Sequence, residues 1–150
     1  MRILKVKGTN KNFAHMCREL ENFQFSLLPG LDKTDYSLTN DLDKIIGYII
    51  FDKSEPIASM GIKRLDDNTC ELVRVFVCEK YRKKGYAIVL FKKIQELAKQ
   101  LGYKTIELVV WCKATNAINL YKKIGFSFKE EKTSEYYCGF KYAEFIKVII

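Results

Sequence analysis

Apolar positions along the chain recur with two kinds of period. Between residues 10 and 22, Phe13, Met16, Cys17 and Leu20 fall three or four apart, the stripe of an amphipathic helix, and Asn10 is placed to cap it. A polar, turn-prone stretch follows from Gly30 to Asp43. Residues 45–51, 57–65 and 70–77 are short apolar runs separated by Asp52-Lys53-Ser54-Glu55 and by Asp66-Asp67-Asn68. That alternation of strand-length runs and turn residues predicts an antiparallel meander.

The period then lengthens. Ala87, Leu90, Phe91, Ile94, Leu97, Ala98 and Leu101 share one helical face, and Gly102 supplies the stop. Residues 104–111 predict a strand. Residues 114–124 predict a helix with Ala117, Leu120, Tyr121 and Ile124 on one side and Gly125 at its end. Residues 126–128 and 140–149 predict closing strands. A meander followed by β-α-β-α-β predicts one mixed α/β domain over residues 1–150. Its central, partly parallel sheet has six to seven strands, with helices on both faces.

Composition narrows the class. Apolar residues make up 48% of the chain, enough for a real core, and no apolar run approaches the ~20 residues of a membrane helix. The start, Met1-Arg2-Ile3-Leu4-Lys5, has no signal-peptide core. The expectation is a soluble, cytoplasmic protein without a membrane partner. The five cysteines are odd in number and none is at C-x-x-C spacing, which argues against a disulfide framework, a zinc site or any other metal. His15 is the only histidine and has no recognisable Ser or Cys partner.

Charge is uneven. Residues 1–60 carry as many acids as bases, so the net +8 resides in residues 61–150. A basic half suits an anionic partner: nucleic acid, a membrane surface or a phosphorylated cofactor. The segment from Glu71 to Ala87 favours the last. A predicted strand runs into Arg82-Lys83-Lys84-Gly85-Tyr86-Ala87 and then into a long helix. A helix start offers unpaired amides and a positive dipole end to phosphate, and a glycine there admits close approach.

This segment resembles motif A of the GNAT superfamily of N-acetyltransferases, Arg/Gln-x-x-Gly-x-Gly/Ala, at Arg82, Gly85 and Ala87. Downstream, Ala117-Ile118-Asn119-Leu120-Tyr121-Lys122-Lys123-Ile124-Gly125-Phe126 resembles its A-x-x-L-Y-x-x-x-G-F block. The likeness is specific from residue 70 to 126 and general in element order elsewhere. It implies that the strands at 70–77 and 104–111 splay apart, with the pantetheine arm of acetyl-CoA, the co-substrate, paired in the gap to backbone at Val75 and Val77. Arg82, Lys83, Lys84, Gly85, Tyr86 and Ala87 would hold the pyrophosphate, and the Val75 amide would polarise the thioester carbonyl.

The resemblance also implies roles in catalysis. Tyr121 stands where the superfamily often has its general acid, and Glu71 is the candidate base, with ordered water as the alternative. Two positions depart from the pattern. Ala114 replaces an asparagine that contacts the pantetheine arm, so Asn116 or Asn119 would take that contact. Lys83 replaces the first glycine of many motif A loops.

The implied activity is transfer of acetyl from acetyl-CoA to a primary amine, small-molecule or protein-borne, by direct attack in a ternary complex. A catalytically silent acyl-CoA sensor of the same fold is the alternative. A nucleic-acid-binding module lacks RRM or helix-turn-helix signals, so no nucleic-acid partner is expected. A homodimer stays open. A cationic acceptor is expected, because acids gather where the resemblance puts acceptor entry. They are Asp32, Asp35, Asp41 and Asp43, then Glu130, Glu131 and Glu135 beside Tyr136 and Tyr137.

Overall fold

A computed structural model describes residues 1–27, 37–133 and 141–150. The elements run β1 (Arg2–Lys7), α1 (Lys11–Leu27), β2 (Ile45–Asp52), β3 (Glu55–Arg64), β4 (Thr69–Val77), α2 (Tyr86–Gln100), β5 (Thr105–Trp111), α3 (Thr115–Lys123), β6 (Ser127–Thr133) and β7 (Lys141–Val148). Among the described residues, seven strands form one mixed sheet in the order β1-β2-β3-β4-β5-β7-β6, in which β4 and β5 are the parallel pair.

Local chemistry explains most boundaries. The Asn10 side chain accepts from the amides of Asn12 (2.9 Å) and Phe13 (3.3 Å), so the predicted cap starts α1. The helix continues five residues past the expected end at 22. In the turn between β3 and β4, the Asp66 side chain accepts from the Asn68 amide at 2.8 Å. The Asn68 carbonyl in turn takes the Lys104 amide at 2.8 Å, which seats the start of β5 beside the start of β4.

Two elements depart from the sequence reading. β1 was not expected: only Val6 of its six residues is buried, so an edge strand leaves little apolar signal. β6 extends to Thr133 and is exposed at every position, so its Lys- and Glu-rich sequence reads as loop. The core lies in two layers. Phe13, Met16, Cys17 and Leu20 of α1 pack with Ile45, Ile49, Val73 and Phe76 on one face. Leu90, Phe91, Ile94 and Leu97 of α2, with Tyr121 of α3, pack with Met60, Leu72, Ile106, Leu108 and Phe145 on the other. No described helix is long and apolar enough to cross a membrane.

Candidate active site

The parallel pairing of β4 with β5 lasts only three residues: Thr69 opposite Thr105, Cys70 opposite Ile106 and Glu71 opposite Glu107. Beyond that point β4 keeps β3 as far as Ala58 opposite Val77, and β5 keeps β7 as far as Trp111 opposite Tyr142. The facing edges therefore part and leave a gap. Cys78 donates its amide to the Ile57 carbonyl on β3 at 2.9 Å. In an antiparallel ladder the neighbouring residue faces the other way, so the peptide groups of Val77, and of Val75 two residues earlier, face the gap.

A bulge makes this orientation possible. The β3–β4 register shifts between Ser59 and Gly61, and Arg74 takes φ +56°, a left-handed conformation that is strained for a side-chain-bearing residue. Val73 accordingly belongs to the α1 layer while Val75 packs against the α2 layer. Ser59, fully buried, donates its hydroxyl to the Arg74 carbonyl at 3.2 Å. The Arg74 guanidinium donates to the Leu38 carbonyl at 3.0 Å and pairs with Asp41.

Glu71 lies on the α1 side of the sheet at the foot of the gap, its side chain 19% exposed. Burial pushes its carboxyl above the usual range, while Lys63 and Arg74 pull the other way. Lys63 is shared: its Nζ is 2.9 Å from Asp41 and 3.7 Å from Glu71. Burial also opposes ionisation of Asp41, but the Lys63 hydrogen bond and the Arg74 charge outweigh it and hold that carboxyl low.

Past the open end of β4, a single turn of 3-10 helix (Glu79–Tyr81) leads to the start of α2. Tyr81 donates its hydroxyl to Asp52 at 2.8 Å, tying this loop to the β2–β3 hairpin, and that bond pushes the phenol up to about 12. Lys83 has φ +62° and Gly85 φ +87°. Gly85 precedes α2 with no side-chain cap, and the first amide to bond back is Val89, to the Gly85 carbonyl at 3.1 Å. A Cβ built on Gly85 would meet nothing within 4 Å. An uncapped helix start thus faces open space, flanked by exposed Lys83 and Lys84. Those residues fit a pyrophosphate.

Tyr121, on α3, lies in the opposite layer from Glu71. It is 8% exposed, with its ring edge-on to Phe126 at 6.0 Å, and burial pushes its phenol up to about 12.

The sequence model of the Acetyltransferase (GNAT) family matches residues 14–126, three quarters of the chain. The chain belongs to the GNAT acetyltransferase family. Solved structures similar to it agree in fold. A GNAT-family acetyltransferase from Staphylococcus aureus is 18% identical with TM-score 0.79, covering 99% of this chain and 100% of its own. An aminoglycoside 6'-N-acetyltransferase complexed with coenzyme A is 14% identical with TM-score 0.76, covering 100% and 98%. Arabidopsis thaliana NAA60, in complex with a bisubstrate analogue, is 19% identical with TM-score 0.71, covering 98% of each chain.

Within this GNAT frame the sequence-predicted residues fall into three groups. Val75, Val77, Lys83, Lys84, Gly85, Tyr86 and Ala87 lie along the gap and the loop beyond it. The Arg82 guanidinium is directed elsewhere: Nε donates to the Val77 carbonyl at 2.8 Å, and the group sits 4.5 Å from the Phe23 ring centre and 5.5 Å from that of Phe76. It links β4 to α1. Asn116 and Asn119 are both exposed, one turn apart on α3.

Of the acids expected at acceptor entry, Asp32, Asp35 and Glu135 lie outside the described residues, as do Tyr136 and Tyr137. Asp41 is engaged by Lys63 and Arg74, Glu130 by Lys132 and Glu131 by Lys141, whereas Asp43 is exposed. Sequence reasoning missed Ser59, Lys63 and Glu107. A buried serine and paired charges on separate strands carry no local motif, and only register brings them together.

Proposed function

We propose that this GNAT protein transfers acetyl from acetyl-CoA to a cationic primary amine, small-molecule or protein-borne, by direct attack in a ternary complex. The observation that carries the reading is the parting of β4 from β5 immediately beyond Glu71 and Glu107. It leaves β4 backbone free to pair with an extended arm, much as an added strand would. The uncapped start of α2 lies past the open end of the same strand, with room at Gly85 for phosphate.

Acetyl-CoA supplies the acetyl group as a thioester, a carbonyl activated toward amines. Val75 pairs through backbone and Val77 through its amide, its carbonyl being taken by Arg82, and residues 83–87 receive the pyrophosphate through amides and the two lysines. The Val75 amide stabilises negative charge as it develops on the acyl oxygen. Glu71 accepts a proton from the incoming ammonium, directly or through water, and burial of its carboxyl suits it to that task. The new C–N bond forms as the C–S bond breaks, Tyr121 donates a proton to the departing sulfur, and the second proton shed by the acylated nitrogen restores the phenol, directly or through water. Its phenol is fully protonated at neutral pH, and the buried setting that holds the proton there also disfavours a bare thiolate. Base and acid lie in opposite layers of the sheet, so the acceptor enters from the α1 side and the thiol leaves on the other.

Asn116 or Asn119 substitutes for the missing asparagine at Ala114. Asp32, Asp35, Asp43 and Glu135 attract the cationic acceptor. A thiol-release assay with acetyl-CoA against an amine library tests the proposal. Turnover with cationic amines supports it, whereas tight coenzyme A binding without turnover of any amine would favour an acyl-CoA sensor.

A further inference from the structure

We infer that Asp41 is a positioning residue for both halves of the reaction: through Arg74 it holds the bulge that aims the Val75 amide, and through Lys63 it sets the charge around Glu71. The inference rests on the roles proposed above for Val75 and Glu71.

The bulge is unusual in its residue. A left-handed φ is ordinary for glycine and strained for arginine, so Arg74 keeps it only if its neighbours over-determine it. Its carbonyl is held from β3 by Ser59, and its guanidinium by the Leu38 carbonyl and the Asp41 carboxylate. Two of those three anchors, Leu38 and Asp41, lie within three residues of each other on the segment that leads into β2. Asp41 does not stop at Arg74. Its second oxygen takes the Lys63 ammonium, which also reaches Glu71. One carboxylate therefore links the amide that would steady the acyl oxygen to the carboxylate that would take the amine's proton.

The sign of the electrostatic effect follows from the groups that face Glu71. These are Lys63 on β3, Arg74 on its own strand, Asp41, and Glu107 in register on β5. Cys17 on α1 lies near Arg74 and Asp41, but burial pushes its thiol up to about 11, so it carries no charge at neutral pH. Removing the Asp41 charge leaves Lys63 and Arg74 uncompensated. Both then favour ionised Glu71, and its pKa falls. Removing Lys63 does the reverse.

The test uses the full chain. In Asp41→Asn, kcat should fall roughly tenfold or more, short of the ~10²–10³ lost when an oxyanion donor is deleted outright. KM for acetyl-CoA should change less than kcat, because Val77 and the start of α2 still hold the cofactor when only the Val75 amide is misaimed. The acid limb of kcat/KM should move down by about one pH unit, and in Lys63→Met it should move up. A carbon-13 carboxyl titration of Glu71 by NMR reads the same opposed shifts without any turnover. An inactive wild type would therefore sink the acetyltransferase reading and leave the titration to decide this one. An unmoved Glu71 midpoint in folded Asp41→Asn, or shifts of the same sign in both variants, overturns the inference. Should Asp41→Asn not fold, Lys63→Met decides alone: a raised midpoint supports it and an unchanged one overturns it.

Discussion

Glu71 on β4 stands directly opposite Glu107 on β5, and theirs is the last pair in register before the two strands part. Like charges facing each other across strands are destabilising unless cations intervene. Here Lys63 approaches Glu71 and Lys129 approaches Glu107 at 3.0 Å. A carboxylate pair with a lysine beside each member marks the foot of the gap, and replacing either glutamate should have separable effects.

Glu71→Gln should lower kcat by roughly 10² to 10⁴ if Glu71 is the base. It should also abolish the acid limb of the pH–rate profile, which reports ionisation of that group. Glu107→Gln removes a neighbouring negative charge, so Glu71 ionises more readily and the acid limb moves to lower pH. Steady-state kinetics across pH 5 to 9 check both, and a Glu71→Gln enzyme that keeps the wild-type profile assigns the base to water.

Gly85→Asp should weaken coenzyme A binding by roughly tenfold or more, because a carboxylate would stand where phosphate must approach. The space in front of Gly85 is open, so the fold should survive, with some strain from φ +87°. Gly85→Asn accepts that conformation about as well and carries no charge. Calorimetry on the pair separates repulsion from strain: equal losses would remove phosphate from the assignment.

Tyr121→Phe keeps the ring against Phe126 and deletes only the hydroxyl. Turnover should fall by roughly 10² or more while coenzyme A affinity stays near wild type. Single-turnover measurement isolates the chemical step. An unchanged rate there would return Tyr121 to a purely packing role in the α2 layer.

Ser59→Ala leaves the Arg74 carbonyl without its buried donor and should cost about 1–3 kcal/mol in urea unfolding. The same variant should lose activity beyond what a folded but less stable enzyme would, because the bulge aims the Val75 amide. Full activity at a temperature where the variant is wholly folded would show that the remaining anchors of Arg74 suffice.

The sequence by itself determined the elements whose signals are local. Asn10 caps α1 through amides two and three residues away, and Gly102 and Gly125 follow α2 and α3 with φ of +89° and +103°. The helical stripes of α1 and α2 and the turns of the meander were equally legible, because periodicity records which face will be buried. The motif residues from Arg82 to Ala87 and around Tyr121 pointed to the family for the same reason: their spacing along the chain is the feature itself. Only the tertiary structure decided the rest. β1 and most of β6 are strands because β2 and β7 offer them backbone partners, not because their side chains ask for burial. Asp41 read as a free acid at the acceptor entrance, and became an anchor once β3 and β4 brought Lys63 and Arg74 to it. Arg82 read as one of three phosphate-facing charges, and folding turned it onto Val77 and Phe23. A charge declares its sign in the sequence, but its partner is chosen by strand register and by the one bulge that reverses which way β4 faces.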